Sequence, residues 1–225
     1  MSELVSYTYH LPPLVAIACY LAYPKKIRID SSVLHILSTV HNGLLVAFSG
    51  WTFVSLSQIL YEDGIVFQSH FYFNNPRFDN IIFWFYISKY YELIDTFILY
   101  LSGKSPIFLQ KYHHIGAIVC WHLHYVYKVD CVWIPSIANS FVHIIMYSYY
   151  LGCLLRVKQV RFIKPYITTL QLTQLVVPNF FCLYYYQPPI ETVFKYNLIK
   201  MFVGYVSGLV VLFSHFFYRN YVKKD

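Results

Sequence analysis

Charge is scarce in this sequence. Only 12% of its 225 residues are Asp, Glu, Lys or Arg, against about a quarter in an average soluble domain. That excludes an ordinary soluble globule, whose surface needs more charge to stay solvated. Paired cysteines are also missing: Cys19, Cys120, Cys131, Cys153 and Cys182 are scattered and form no CxxC. No disulfide framework and no zinc site is expected; most lie in apolar segments, where Cys acts as a small hydrophobe. The first ten residues hold no Lys or Arg, and no small-residue cleavage site follows the first apolar stretch. A cleaved signal peptide is therefore not expected, and that stretch should remain as a short span. The net charge is +7, but no basic run is long enough for a nucleic-acid arm. Internal repeats and low-complexity segments are absent as well.

What is present is apolar. Hydrophobic residues make up 58% and aromatic ones 21%, and the length suits one polytopic membrane domain over residues 1–225. Apolar stretches cover 11–23, 32–60, 80–101, 106–127, 131–154, 163–186 and 196–218; most exceed the roughly 20 residues that cross a bilayer as helix. The first is short and contains Pro12 and Pro13. Ser105-Pro106 and Lys164-Pro165 predict the starts of the fourth and sixth helices. Basic residues then fix the orientation. Lys25, Lys26, Arg28, Lys104, Lys111, Arg156, Lys158, Arg161, Lys164, Arg219, Lys223 and Lys224 fall in or beside alternate breaks, 12 of 17. Arg77, Lys128 and Lys195 fall on the other side, and Lys89 and Lys200 within helices. The positive-inside bias predicts an all-α protein of seven transmembrane helices with a cytosolic C-terminus and its N-terminus on the opposite side.

Ionisable groups inside spans are costly, so each is a candidate functional residue. The third span carries Lys89, Glu92, Asp95 and Thr96, with Lys89, Glu92 and Thr96 near one helical face and Asp95 beside it. From spacing alone this is equally a salt-bridge cluster holding helices together. The fourth opens with Gln110-Lys111-Tyr112-His113-His114. The fifth carries Asn139, His143, Tyr147 and Tyr150, the sixth Thr168, Gln171 and Gln174. Counting inward from the basic ends puts Glu92, Asp95, His113, His114, Gln171 and Gln174 roughly 9–14 Å deep, with His143 somewhat deeper. Four helices thus place acids, imidazoles and amides in one layer. Scattered interhelical hydrogen bonds would not share a level; a buried chamber opening to the cytosol explains it.

These clusters resemble the ELO family of very-long-chain fatty acid elongases. Lys89-x-x-Glu92-x-x-Asp95-Thr96 matches KxxExxDT. His143-Ile-Ile-Met146-Tyr147-Ser-Tyr149-Tyr150 matches HVxMYxYY with Ile144 for Val. Thr168-x-x-Gln171-x-x-Gln174 matches TxxQxxQ, and Gln110-Lys-Tyr-His113-His114 matches HxxHH at its last two positions. The resemblance covers residues 89–174. It implies a seven-span endoplasmic-reticulum enzyme with six helices around an acyl-chain tunnel and no metal or other cofactor. Such an enzyme condenses long-chain acyl-CoA with malonyl-CoA, giving 3-ketoacyl-CoA, CO2 and CoA. A homodimer, and the reductases and dehydratase of an elongation cycle, are the partners expected on the same ground; nucleic acid is not.

The residue types suit that chemistry. No Cys stands at the motifs, whereas an imidazole can attack a thioester. His113 is the expected acyl acceptor and His143 its partner in proton handling or enolate positioning. His114, Glu92 and Asp95 can orient imidazoles, and Gln171, Gln174 and Asn139 can donate to a thioester oxygen or enolate. Lys89, Lys104 and Arg161 can attract CoA phosphates, or, for the basic loop residues, merely signal topology. Gln110 departs from the box: an amide cannot shuttle a proton. It leaves open a catalytically impaired homologue. A seven-span transporter using the polar layer as a proton relay, and a di-iron desaturase, are further alternatives; against the desaturase, the ten histidines form no HxxxH and no second HxxHH. The Tyr184-Tyr185-Tyr186 run reads as an interfacial belt or as a tunnel floor, and the tail ends in an imperfect dilysine signal.

Overall fold

The computed structural model describes the backbone of residues 2–22 and 27–223, with side chains for residues 10–22, 27–158, 160 and 162–223. Lys25, Lys26, Lys224 and the Arg161 side chain, on which part of the charge asymmetry rests, lie outside the described residues. The chain is all-helical: α1 (Ser2–Ala22), α2 (Ser31–Asp63), α3 (Pro76–Tyr91), α4 (Ile94–Leu101), α5 (Phe108–Val126), α6 (Trp133–Leu154), α7 (Lys164–Tyr185) and α8 (Val193–Phe217). Among the described residues, three helical segments are long and apolar enough to cross a membrane: Ser31–Asp63, Asp130–Leu154 and Val193–Val222. The first and last of these expose many apolar side chains, including Val40 and Leu44 on α2 and Val211 on α8, whereas most of Asp130–Leu154 is buried between its neighbours. So much exposed aliphatic surface is stable only against lipid.

Local chemistry sets the helix ends. Asp30 caps α2, its Oδ1 accepting from the N–H groups of Ser32 (2.8 Å) and Val33 (3.2 Å); these bonds hold its carboxyl below its ordinary pKa. Asn75 caps α3, whose first residue is Pro76. Lys164-Pro165 opens α7 as expected. Ser105-Pro106 does not open α5, which begins at Phe108 without a side-chain cap. The reason lies upstream. Lys104 N–H bonds Leu99 O (2.9 Å) and Gly103 N–H bonds Tyr100 O (3.0 Å), with Gly103 at φ 76°. That is a Schellman ending of α4, and the chain needs residues 104–107 to reverse before helix can resume.

The expected third span is not one helix. It breaks between α3 and α4 at Glu92-Leu93, where the N–H groups of Leu93, Asp95 and Thr96 bond carbonyls three residues back. The tighter winding rotates the side chains of α4 relative to those of α3. Lys89 and Glu92 therefore face one set of neighbours, and Asp95 and Thr96 two others.

Neighbouring helices pack in the order α2, α3, α5, α8, α7, α6 and back to α2, a closed ring, while α1 lies outside against α5. The two ends of the ring differ. One is filled by an apolar, largely aromatic core including Tyr72, Phe78, Trp133, Tyr186 and Phe202. Within the expected tyrosine belt, Tyr184 is exposed, whereas Tyr186 is fully buried and accepts from Trp133 Nε1 at 3.0 Å. A buried ammonium fastens the loops at this end. Lys195 Nζ donates to Lys128 O (2.8 Å) and His70 Nε2 (3.1 Å) and lies 3.8 Å from Glu191 Oε2. The other end holds the polar chamber.

Candidate active site

The chamber is a cavity of about 690 Å³ between α2, α4, α5, α6, α7 and α8. His113, His114, His143, Glu92, Asp95, Gln110, Tyr147, Tyr150, Thr168, Gln171 and Gln174 all line it. The layer deduced from helix depth is therefore one place. Lys104 and Lys164 line it as well. Lys89, Thr96 and Asn139 are buried behind it.

Lys89 and Glu92 form a buried ion pair, Nζ to Oε1 2.7 Å, with exposures of 2% and 3%. Burial of two charges is tolerable only where geometry is good and the remaining donors are used. Here Lys89 also donates to Asn139 Oδ1 at 2.9 Å and sits 4.0 Å from the Phe85 ring centroid. The ammonium can only donate, so it fixes the Asn139 amide: Oδ1 toward Lys89, Nδ2 toward His143 Nε2 at 3.0 Å. His143 Nε2 must then accept, and its neutral ring carries the proton on Nδ1. That nitrogen lies 3.7 Å from Glu92 Oε1. Lys89, Asn139, His143 and Glu92 thus close a loop that selects one tautomer.

Asp95 serves a different pair. Its Oδ1 lies 2.9 Å from His41 Nε2 and its Oδ2 accepts from the Tyr147 hydroxyl at 2.8 Å, and the Tyr147 ring meets His143 edge-on at 5.3 Å. Thr96 turns outward to α1 and α5: its Oγ1 is 3.0 Å from Tyr20 Oη and accepts from Gln110 Nε2 at 3.2 Å. The residue that departs from the histidine box thus ties α5 to α4 through a hydrogen bond that an amide makes well. Gln171 Nε2 points to Met146 Sδ at 3.1 Å, whereas Gln174 Oε1 is buried with no hydrogen-bond partner among the described residues. Thr168 bonds back to Lys164 O within its own helix. Tyr150 stands partly exposed, its ring 6.0 Å from Tyr147.

One ring nitrogen of His113, one of His143 and a Glu92 oxygen lie within 4.8 Å of one another. A divalent cation can use such a set, but the Lys89 ammonium already neutralises that carboxylate. His122 and His124, the other two histidines of α5, do not join the group: His122 bonds His10 (2.9 Å) and Tyr86 (3.0 Å), and His124 bonds Cys120 O.

Two residues of the site escaped the motif reading. His41, on α2, shares a buried face with Ser38, Asn42 and Thr52; an imidazole within a span was a usable signal. Tyr205, on α8, contacts His113, and nothing separates it in sequence from the other 23 tyrosines.

A ring of helices around a cavity lined by lysines, imidazoles and a buried, ion-paired glutamate defines a helical membrane protein with a polar cavity. The GNS1/SUR4 (ELO) family profile matches residues 6–225, and the chain belongs to this family. It is 35% identical over 150 residues to fatty acid elongase sre1 of Dictyostelium discoideum, covering 62% of this chain and 53% of that one. It is 32% identical over 181 residues to very long chain fatty acid elongase 4 of Trypanosoma cruzi, with coverage of 76% and 63%. Very long chain fatty acid elongase 5 of Tachysurus fulvidraco is 30% identical over 203 residues, with coverage of 82% and 65%. The chain spans about half to two thirds of the length of these relatives.

Proposed function

We propose that the protein is a fatty acid elongase that condenses a long-chain acyl-CoA with malonyl-CoA. The observation that carries this reading is the convergence of His113, His143 and Glu92 at 4.8 Å or less within a cavity large enough for a thioester and its pantetheine arm. In the first half-reaction an imidazole nitrogen of His113 attacks the thioester carbonyl. The C–S bond breaks, and CoA leaves as the thiol with the imidazole proton, leaving an acyl-imidazole. Malonyl-CoA then loses CO2, its enolate carbon attacks the acyl group, and the C–N bond breaks. The ring regains one proton from solvent, and 3-ketoacyl-CoA departs. No metal or other cofactor enters this scheme.

His143, held as the Nδ1–H tautomer, is suited to donate to the enolate or thioester oxygen. Gln171 and Gln174 are neutral donors for the same charge. Lys89, Glu92 and Asn139 position His143. Asp95, with His41 and Tyr147, holds α2, α4 and α6 around the cavity, and Tyr150 borders it. Thr96 and Gln110 brace α5, so Gln110 acts as a strut and need not move a proton. His114 supports its neighbour. Lys104 attracts CoA phosphates. The six-helix ring encloses the acyl chain, with α1 as a seventh, peripheral span. The charge asymmetry supports an N-terminus across the membrane from the cytosol and a cytosolic C-terminus; residence in the endoplasmic reticulum rests on the family resemblance. Homodimerisation and contact with the reductases and dehydratase of the cycle belong to the same proposal.

The test is elongation by purified protein in detergent with acyl-CoAs of graded length and malonyl-CoA, read by mass spectrometry. Product should form, and His113→Ala and His143→Ala should each reduce it by roughly 100-fold or more. An acyl adduct on His113 should accumulate without malonyl-CoA. Folded protein that yields neither product nor adduct overturns the reading.

A further inference from the structure

We infer that Tyr205 fixes the tautomer of His113 and makes Nε2 its attacking nitrogen. This assignment rests on His113 being the acyl acceptor. Tyr205 lies on α8, outside all four motifs, and its hydroxyl makes two contacts with one residue. It donates to the His113 carbonyl oxygen at 2.8 Å, and it lies 3.4 Å from His113 Nδ1. A phenol has one proton. With that proton spent on the carbonyl, only the imidazole can donate in the second contact. Nδ1 therefore carries the ring proton, and Nε2 is left with the free lone pair. Attack through Nε2 makes the ring cationic and strengthens the Nδ1–H bond to Tyr205, so the contact favours the transition state over the ground state.

The packing around Tyr205 serves this contact. A Cβ on Gly116 would fall 1.9 Å from the Tyr205 ring, so α5 gives up a side chain at 116 to admit it. The arrangement is reciprocal: Tyr112 of α5 lies over Gly208 of α8, where a Cβ would be 2.5 Å from its hydroxyl, and that hydroxyl donates to Tyr205 O at 3.1 Å. Each helix thus offers a glycine to the other's tyrosine, with His113 between them. A purely space-filling aromatic would need neither hydroxyl.

Tyr205 is on this account a positioning residue, and the decisive variant is Tyr205→Phe, which keeps the ring in the Gly116 notch. Protein labelled with 15N-histidine in detergent, with His113 assigned by its loss in His113→Ala, should show the Nδ1–H tautomer in the wild type. Tyr205→Phe should shift that signal toward Nε2–H and slow acylation by acyl-CoA alone by roughly 10- to 100-fold, as loss of an imidazole-orienting hydrogen bond does. Melting should change little. An Nε2–H signal in the wild type overturns the proposal whether or not the variant folds. So does a variant with the wild-type tautomer and acylation rate. Absence of any adduct on wild-type His113, with the tautomer as assigned, would instead sink the nucleophile and leave the hydrogen bond standing.

Discussion

At the scale of single residues, the chamber is governed by which groups can only donate. The Lys89 ammonium settles the Asn139 amide, and the amide settles His143. Removing Lys89 would strand the Glu92 carboxylate, 3% exposed, without a counter-charge. Lys89→Met is expected to destabilise the protein by about 3–5 kcal/mol, whereas Lys89→Met combined with Glu92→Gln should recover much of that loss. Urea unfolding in detergent compares them. Equal stability of the single and double variants would mean that the pair is not electrostatically coupled. The types and spacing of these residues were legible in the sequence, because a charge in an apolar helix stands out. Their partners were not. Asn139 reads as one member of a stripe on the fifth span, and only the fold brings it to Lys89. His41 carried the same signal as His113, but without neighbours of a recognisable pattern. Tyr205 carried none, since a tyrosine in an aromatic-rich membrane helix is ordinary until its hydroxyl is seen to have partners.

At the scale of elements, six of the seven apolar stretches translate into the described helices with ends shifted by a few residues, whereas the first, expected from residue 11, is helical from Ser2 and carries Pro12 and Pro13 inside the helix. The real departures occur where backbone chemistry overrides hydropathy. The Glu92-Leu93 break is invisible to an apolar-run count, because both halves are helical and apolar. The late start of α5 stems from the Schellman ending at Gly103, which a count of apolar residues does not register. The same ending recurs after α6 without glycine: Val157 N–H bonds Gly152 O at 2.9 Å and Arg156 N–H bonds Cys153 O at 3.2 Å, with Arg156 at φ 58°. A side chain in that left-handed region is strained. Arg156→Gly should relieve it and raise stability by up to about 1 kcal/mol, seen as a higher melting temperature. A lower one would show that the arginine side chain contributes more than its backbone costs.

At the scale of the whole molecule, the ring has one polar end and one filled end. Cys153 is exposed and also lines the cavity, so it reports on access. In a Cys19→Ser background, maleimide should modify Cys153, and bound acyl-CoA should slow the reaction several-fold. Modification at the same rate with and without acyl-CoA would place the substrate elsewhere. The ring itself was not legible in the sequence, since hydropathy counts spans without ordering them; the order rests on packing such as the α5–α8 interlock.

The loops gathered on Lys195 and the aromatic core beside them have a consequence for traffic. With Val129, Cys131, Tyr186 and Ile199 fully buried there, that end is tightly packed. On the proposed elongase reading, substrate and product would then share one doorway, and turnover would become a matter of queueing. On that reading a lengthened acyl-CoA that lingers would keep the next primer waiting, so added product should compete with fresh primer for entry.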